Sequence, residues 1–258
     1  MKKTLLEKTA DKLVNAFVNN KIIAPLPTKF TQTLSEAQKL RKLCESKVKD
    51  SIIGFKAAGT GIPVMKKLKE KKPFYAAIFK KNFIKSGKKV KINKSTLGIE
   101  LEVCYLIKKN FFSSKGSITM KNVTKHISHM AACIEVIGYR QKKKGITSFG
   151  DLCSDFGANV KFLIGQKKKY KRINIGNLKT NIANKKIGQS VDGNTNTVYI
   201  NPLNSLRFVL NELKKDKVSL DKDFYVFTGS TVGVVPILGK GLYTGKVAQL
   251  GSAKAIIH

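Results

Sequence analysis

After about residue 70 the sequence divides into many short, β-rich apolar runs, and this feature limits the possible folds more than any other. Two segments with helical spacing, near 120–132 and at 202–214, interrupt the series. The remaining runs predict strands at 90–92, 98–107, 134–138, 160–164, 173–180, 224–228, 232–238 and 242–250. Many short strands with few helices are typical of an α+β protein built on a β-rich mixed sheet.

Residues 1–70 carry a different pattern, which predicts a helical N-terminal segment. Apolar side chains with helical spacing at 4–19 indicate one buried helix face, and a second helix is predicted at about 35–48. A short apolar strand is predicted at 52–57, before the turn Gly-Thr-Gly at 59–61. A chain of 258 residues, 42% of them hydrophobic, can bury one large core. We therefore predict a single domain over 1–258, in which this segment packs against the β-rich part, 71–258.

The formal net charge of +34 is the strongest bias in the composition. A surface of that sign attracts nucleic acid or an anionic membrane. Only four of the 50 basic residues are Arg, however, and specific recognition of phosphates and bases favours the Arg fork over Lys. The lysines are also spread along the whole chain. A solvated basic surface without a specific nucleic-acid partner is the favoured interpretation, and nucleic-acid binding stays as the alternative.

Neither the N-terminal segment, the apolar runs nor the cysteines indicate a membrane or secreted protein. No apolar run has the length that spans a bilayer, and charged residues from Glu7 to Lys12 interrupt the signal-like N-terminus. None of the four cysteines forms a C-x-x-C pair, so we expect reduced, buried thiols. The predicted location is cytoplasmic.

Two of only eight glutamates stand together in the apolar run 98–107. Side chains at i and i+2 of a strand lie on one face, so Glu100 and Glu102 are predicted side by side, with Leu101 and Val103 on the opposite face. Adjacent carboxylates repel each other unless a cation lies between them. Mg²⁺, Mn²⁺ and Ca²⁺ prefer such oxygen ligands.

Glu135 lies in a second apolar run, where an unpaired charge is costly. A shared metal site would explain all three glutamates. The alternative is that each one points to solvent or pairs with a lysine, and spacing alone leaves both interpretations open. His126 and His129 are predicted as surface or packing residues of the helix near 120–132, and not as a metal-binding pair.

Six segments, taken in order, resemble the 2-keto-4-pentenoate hydratase / 4-oxalocrotonate decarboxylase family of the fumarylacetoacetate hydrolase superfamily. They span nearly the whole chain: Gly-Phe-Lys-Ala-Ala-Gly-Thr at 54–60, Ile-Glu-Leu-Glu at 99–102, Ile-Glu-Val-Ile at 134–137, Asn-Pro-Leu-Asn-Ser-Leu at 201–206, Phe-Thr-Gly-Ser at 227–230 and Leu-Gly-Ser-Ala at 250–253. The resemblance implies a curled, barrel-like mixed sheet with a helical N-terminal region. It also implies a homo-oligomeric enzyme of aromatic catabolism whose substrate is a small unsaturated 2-oxo acid.

The same resemblance assigns site residues. It implies Mg²⁺ or Mn²⁺ bound by Glu100, Glu102 and Glu135, where the cation stabilises an enolate of the substrate. It implies catalytic roles for Lys56 and for Asp155, the latter within Ser-Asp-Phe-Gly-Ala, where the family has Ala-Asp-Asn-Ala-Ser. Phe74, Gly229 and Ser230 are the implied substrate-binding residues.

The sequence also departs from the family pattern. Hydratase members carry an Asp in Pro-Asp-Phe-Gly, whereas this chain has Phe74 there, as decarboxylase members have an apolar residue. Asn201 replaces the usual His before Pro-Leu. We predict a lyase of the hydratase or decarboxylase type. The alternatives are a C–C hydrolase or decarboxylase for acylpyruvate-like or oxaloacetate-like acids, and a basic binding protein that has lost activity.

Overall fold

A computed structural model describes residues 2–93, 95–142 and 148–258, which form two sheets and five α-helices. The helices are α1 (Leu5–Asn19), α2 (Leu34–Lys47), α3 (Ile62–Lys67), α4 (Phe149–Ser154) and α5 (Pro202–Lys215). The strands are β1 (Ile52–Ala58), β2 (Phe74–Phe79), β3 (Phe83–Lys85), β4 (Lys89–Val90), β5 (Thr96–Ile107), β6 (Ile127–Gly138), β7 (Asn159–Ile164), β8 (Lys168–Lys169), β9 (Lys179–Asn184), β10 (Gln189–Asn194), β11 (Phe224–Ser230), β12 (Gly241–Val247) and β13 (Gly251–Ile257).

The larger sheet is mixed and strongly curled. Its strand order is β2-β1-β11-β5-β6-β7-β3, and β8 pairs with β6. β1 runs parallel to β11, whereas β11, β5, β6 and β7 are successively antiparallel. Lys56 on β1 nevertheless forms an ion pair with Glu135 on β6, three strands away. Strands lie nearly 5 Å apart, so two side chains make that contact only across the concave face of a curled sheet.

The smaller sheet, β10-β9-β12-β13-β4, covers the convex face of β5 and β6. Leu101 and Val103 of β5 are fully buried there, on the face that alternation predicts. Gly245 of β12 permits close packing, because a Cβ at this position would lie 2.5 Å from Leu101 Cδ1. The apolar core between the two sheets therefore fixes which residues of β5 face the concave side.

The helical N-terminal segment is confirmed at α1 and α2, but residues 1–70 contain more than helices. Thr4 caps α1 in a capping box with Glu7, and Thr33 caps α2, so α2 begins one residue before the predicted Ser35. β1, which follows α2, is hydrogen-bonded between β2 and β11 within the larger sheet. β1 confirms the strand predicted at 52–57, and through it the N-terminal segment contributes a strand to the larger sheet.

Several predicted elements need correction. The segment 120–132 is not a helix: a short 3-10 turn at Val123–His126 leads into β6, where His129 pairs opposite Leu106. Pairing along the whole length of β5 outweighs the helical spacing of this segment. Strand 173–180 begins only at Lys179, and within 232–238 the structure has only a bridge at Val235. The strands that were not predicted from the sequence are β2, β3, β8, β10 and β13. None of the described helices has the length and hydropathy needed to cross a bilayer.

Packing of α1 can be tested with two leucines of the same helix. Leu13 is fully buried and Leu5 is half exposed. We expect Leu13→Ala to lower the free energy of unfolding by about 2–5 kcal/mol, because it leaves a cavity in the core. Leu5→Ala is the matched control, with an expected change of about 0.5 kcal/mol or less. Urea unfolding measures both values, and equal losses would contradict the described packing of α1.

Candidate active site

The register of β5 and β6 brings the three glutamates together. Glu100 pairs opposite Glu135, and Glu102 pairs opposite Cys133. Because alternate residues share a face, all three carboxylates point to the concave side of the sheet. One carboxylate oxygen from each glutamate lies within 4.8 Å of those of the other two. The predicted cluster of three acids is therefore present in the structure.

Burial makes this cluster electrostatically costly. Glu102 and Glu135 are fully buried, while Glu100 is partly exposed and lines a cavity. Burial, followed by repulsion from Glu135, raises the pKa of Glu100 to about 7, and Lys56 opposes the shift. Burial likewise raises the pKa values of Glu102 and Glu135. Three carboxylates in such a site are stable as anions only with compensating positive charge nearby.

The residues present fit a divalent cation. Glu102 Oε2 accepts a hydrogen bond from the Gly229 N–H at 2.7 Å, and Glu135 Oε1 accepts one from Lys56 Nζ at 2.5 Å. The other oxygen of each carboxylate, Glu102 Oε1 and Glu135 Oε2, is buried and has no hydrogen-bond partner among the described residues. Unpaired buried carboxylate oxygens are rare because they cost free energy, and hard cations are their preferred ligands.

Gly229 holds one side of the cluster through its backbone. β11 has a bulge between Phe227 and Ser230, and Gly229 adopts a φ of 103°. A Cβ at this position would lie only 1.9 Å from Thr60 Oγ1. Glycine is required both for the backbone conformation and for the close approach, and the result is an N–H aimed at Glu102.

Lys56 reaches the cluster from β1. Its side chain is buried, and Nζ donates to Glu135 Oε1 and, at 2.9 Å, to the Gly157 carbonyl oxygen. Burial by itself lowers the pKa of Lys56, but the charges of Glu135, Glu100 and Glu102 outweigh it, and the net pKa is raised. A lysine acts as a base near neutral pH only when its pKa is lowered. The described contacts instead hold Lys56 as an ammonium group that donates hydrogen bonds.

A cavity of about 420 Å³ opens over Glu100 and Lys56. The loops after β1 and β11 form its walls, together with the segment after α4. Apolar side chains dominate the lining away from the cluster: Pro63, Val64, Ile137, Leu152, Val232 and Val234. Asp192 of β10 also lines it. A mostly apolar cavity with a few convergent polar groups at its floor is typical of small-molecule sites.

Of the three predicted substrate-binding residues, Gly229 and Ser230 line the cavity. The Ser230 hydroxyl already donates to the Gly233 carbonyl oxygen at 2.7 Å, so it also shapes the loop after β11. Phe74 lies one layer behind the wall. It is buried, its ring packs edge-on against Phe149 at 5.9 Å, and it is close to Gly157. Substrate contact by Phe74 stays a prediction.

Asp155 also lies behind the wall. It is fully buried, and its carboxylate accepts hydrogen bonds from the Arg140 side chain, the Arg140 N–H and the Gln141 side chain. The residues after it, Gly157 and Ala158, are the ones that face the cavity. A catalytic role for Asp155 stays a prediction, and the geometry gives it no direct contact with the space where a substrate fits.

Sequence reasoning missed Arg140, Gly157 and Asp192. One signal for Arg140 was available: arginine is scarce in this lysine-rich chain, and two of its four arginines, Arg41 and Arg140, lie in buried ion pairs. The Arg fork suits such sites better than Lys does. Gly157 contributes a backbone carbonyl, which leaves no side-chain signal. Asn201, where the family has His, caps α5 by accepting the Asn204 N–H at 2.9 Å.

Comparison with known proteins agrees with this fold. Neither a protein-family model nor a curated protein matches the sequence. Among solved structures, 4-oxalocrotonate decarboxylase from Pseudomonas putida G7, complexed with magnesium and adipate, has a TM-score of 0.84 at 20% identity, over 98% of this chain and 97% of that chain. The complex of the same enzyme with calcium and acetate has a TM-score of 0.85 at 19% identity, over 100% of this chain and 99% of that chain. Fumarylpyruvate hydrolase from Pseudomonas aeruginosa, complexed with Mn²⁺ and pyruvate, has a TM-score of 0.56 at 12% identity, over 82% of this chain and 92% of that chain.

The chain therefore has the fumarylacetoacetate hydrolase-like fold that the sequence resemblance predicted. Among the neighbours named above, the likeness is greater to 4-oxalocrotonate decarboxylase, which matches along almost its whole length, than to fumarylpyruvate hydrolase. Both of these neighbours are enzymes, and each was solved with a divalent metal ion.

The metal site can be tested by calorimetry. We expect wild type to bind one Mn²⁺ per chain. Glu100→Gln, Glu102→Gln and Glu135→Gln should each weaken binding by about 10-fold or more, because a neutral amide replaces a charged ligand. Glu36→Gln, at an exposed pair with Lys39, is the matched control and should not change affinity. Equal affinity for wild type and all three site variants would refute the assignment.

The raised pKa of Glu100 predicts a pH dependence. Below about pH 7 the free site holds a proton on Glu100, and Mn²⁺ must displace it. Lowering the pH from 8 to 6 should therefore raise the Mn²⁺ dissociation constant by at least about 10-fold. Glu100→Gln should bind more weakly but with a shallower pH dependence. A pH-independent wild-type affinity would contradict the described electrostatics.

Proposed function

We propose that this protein is a divalent-metal-dependent lyase that acts on a small 2-oxo acid, with decarboxylation as the favoured reaction. One observation carries the proposal: three carboxylates, two with unpaired buried oxygens, meet Lys56 at the floor of an apolar cavity. Glu100, Glu102 and Glu135 would hold Mg²⁺ or Mn²⁺. A bound divalent cation supplies Lewis acidity for the 2-oxo carboxylate group of a substrate.

The chain's own residues would provide the rest of the chemistry. Lys56 holds a proton on Nζ at the cavity floor, next to Glu135, and can donate it to a carbon or oxygen that gains electron density. The Gly157 carbonyl keeps that ammonium in place at 2.9 Å. The apolar walls, including Val64 and Val234, exclude water from the substrate and strengthen the charges at the floor.

Decarboxylation is favoured over hydration and C–C hydrolysis because it needs no activated water. Both other reactions need a base that takes a proton from water. Among the described lining residues, Asp192 is the carboxylate outside the metal cluster, and its Oδ1 accepts a hydrogen bond from Asn181 at 2.8 Å. Phe74, in the position of the hydratase Asp, is apolar and lies behind the wall. The likeness to 4-oxalocrotonate decarboxylase supports the same choice.

The experiment is a screen of unsaturated and saturated 2-oxo acids with Mn²⁺, in which CO₂ release and water addition are measured separately. We expect CO₂ release, and we expect Lys56→Met to lower the rate by about 10²–10⁴-fold, because it removes a group that transfers protons. Lys56→Met should still bind Mn²⁺. Turnover by Lys56→Met at the wild-type rate would refute the role of Lys56.

Asp192→Asn separates the reaction types. Decarboxylation should survive this substitution, whereas hydration or C–C hydrolysis that relies on Asp192 should be lost. Robust hydration of 2-hydroxypenta-2,4-dienoate by wild type would overturn the preference for decarboxylation.

Absence of Mn²⁺ binding, together with salt-sensitive binding of RNA, would instead favour a basic binding protein. Self-association into a homo-oligomer stays a separate prediction, which light scattering can test.

A further inference from the structure

A buried ion pair stands directly behind the cavity wall. Arg140 Nη1 donates to Asp155 Oδ1 at 2.8 Å and to the Asp155 carbonyl oxygen at 3.1 Å. The Arg140 N–H donates to Asp155 Oδ2 at 2.7 Å, and Gln141 Nε2 approaches the same oxygen at 3.3 Å. Asp155 is fully buried and Arg140 nearly so. Both carboxylate oxygens are therefore engaged, and the backbone at Asp155 is held in place.

The next three residues have an unusual backbone conformation. Phe156, Gly157 and Ala158 have φ values of 53°, 66° and 57°, in the left-handed region that residues with side chains rarely adopt. A run of this kind persists only when the surroundings hold it. The Ala158 N–H closes the turn on the Asp155 carbonyl oxygen at 2.8 Å. We call residues 156–158 the left-handed turn.

Packing fixes the left-handed turn from two other sides. The Phe156 ring stacks on Phe17 of α1, with centroids 4.1 Å apart, and the Arg140 guanidinium lies over the Phe17 ring at 5.2 Å. A Cβ added to Gly157 would lie 2.9 Å from the Ala76 Cβ, so the turn has no room to move toward β2. The position of the Gly157 carbonyl is therefore set by groups outside the cavity.

That carbonyl oxygen is one of the two acceptors of Lys56 Nζ, the other being Glu135 Oε1. We infer that Arg140 and Asp155 are positioning residues: they hold the left-handed turn, whose Gly157 carbonyl aims Lys56 at the cavity floor. The inference rests on the proposed function only for its kinetic readout. It gives Asp155 a role through Lys56 rather than contact with a substrate.

The direct test is crystallographic and needs no activity. Crystal structures of the Mn²⁺-loaded wild type and of Asp155→Asn would be compared, because the amide keeps the size of Asp155 but places a donor against the donors of Arg140. We expect the Gly157 carbonyl to move and the Lys56 Nζ contact with it to be lost. An unchanged turn with Lys56 still on Gly157 would overturn the inference.

Two further variants serve as a substitute for Asp155→Asn and as its control. If Asp155→Asn does not fold, Arg140→Lys replaces it, because Lys keeps the charge but loses the planar guanidinium that donates to Asp155 and lies over the Phe17 ring. Glu45→Gln is the matched control, since Arg41 and Glu45 form another buried ion pair, with Nη1 and Oε2 at 2.6 Å. Glu45→Gln should lower stability yet leave Lys56 on Gly157. Loss of that contact in Glu45→Gln as well would overturn a specific role for Asp155.

The kinetic test is a double-mutant cycle with Lys56. Asp155→Asn should lower kcat by between about 10-fold and 100-fold, as expected for a misplaced group, with little change in KM or in Mn²⁺ affinity. In the Lys56→Met background the same substitution should have no further effect on kcat. Effects that multiply in the double variant would overturn the inference. If wild type converts no 2-oxo acid, the proposed function fails, and the crystal structures still decide the inference.

Discussion

Repulsion among three clustered carboxylates, two of them fully buried, is the interaction on which the site depends. Glu100, Glu102 and Glu135 share one face of two adjacent strands, and burial raises the pKa of each. The fold brings two donors to them: the Gly229 N–H and the Lys56 ammonium. Each donor satisfies one oxygen, and two buried oxygens remain unpaired. The bulge in β11 and the placement of β1 beside it bring these two donors to the carboxylates.

Because the carboxylates need the Lys56 ammonium beside them, the N-terminal segment that carries Lys56 is part of the site. Lys56 belongs to β1, which is hydrogen-bonded inside the larger sheet, so the helices that precede it cannot pack as a separate unit. Phe17 of α1 stacks on Phe156, within the turn that holds the Lys56 ammonium. Packing of the first helix and the geometry of the cavity floor are therefore linked through a short chain of contacts.

The sequence predicts those parts of the site that depend on local patterns. Alternation along a strand places Glu100 and Glu102 on one face, and a charge in an apolar run marks Glu135. The segment near 120–132 was predicted wrongly because its state is decided by pairing with β5, which is distant in sequence. The left-handed conformations of Phe156 and Ala158 have no local signal, since only Gly157 is a residue type that favours them. The direction of the Lys56 side chain depends on its contact with that turn, so it could not be predicted either.

The distribution of charge links the basic surface to the acidic floor. Fifty basic residues give the exterior a positive potential that attracts anions, and 2-oxo acids are anions. The cavity floor has the opposite sign, because three of the chain's eight glutamates meet there and Lys56 offsets only one of them. An anionic substrate of the proposed kind would be attracted to the protein but repelled at the floor until a cation neutralised the carboxylates. Cation and acid would then bind with positive coupling, since each lowers the electrostatic cost of the other.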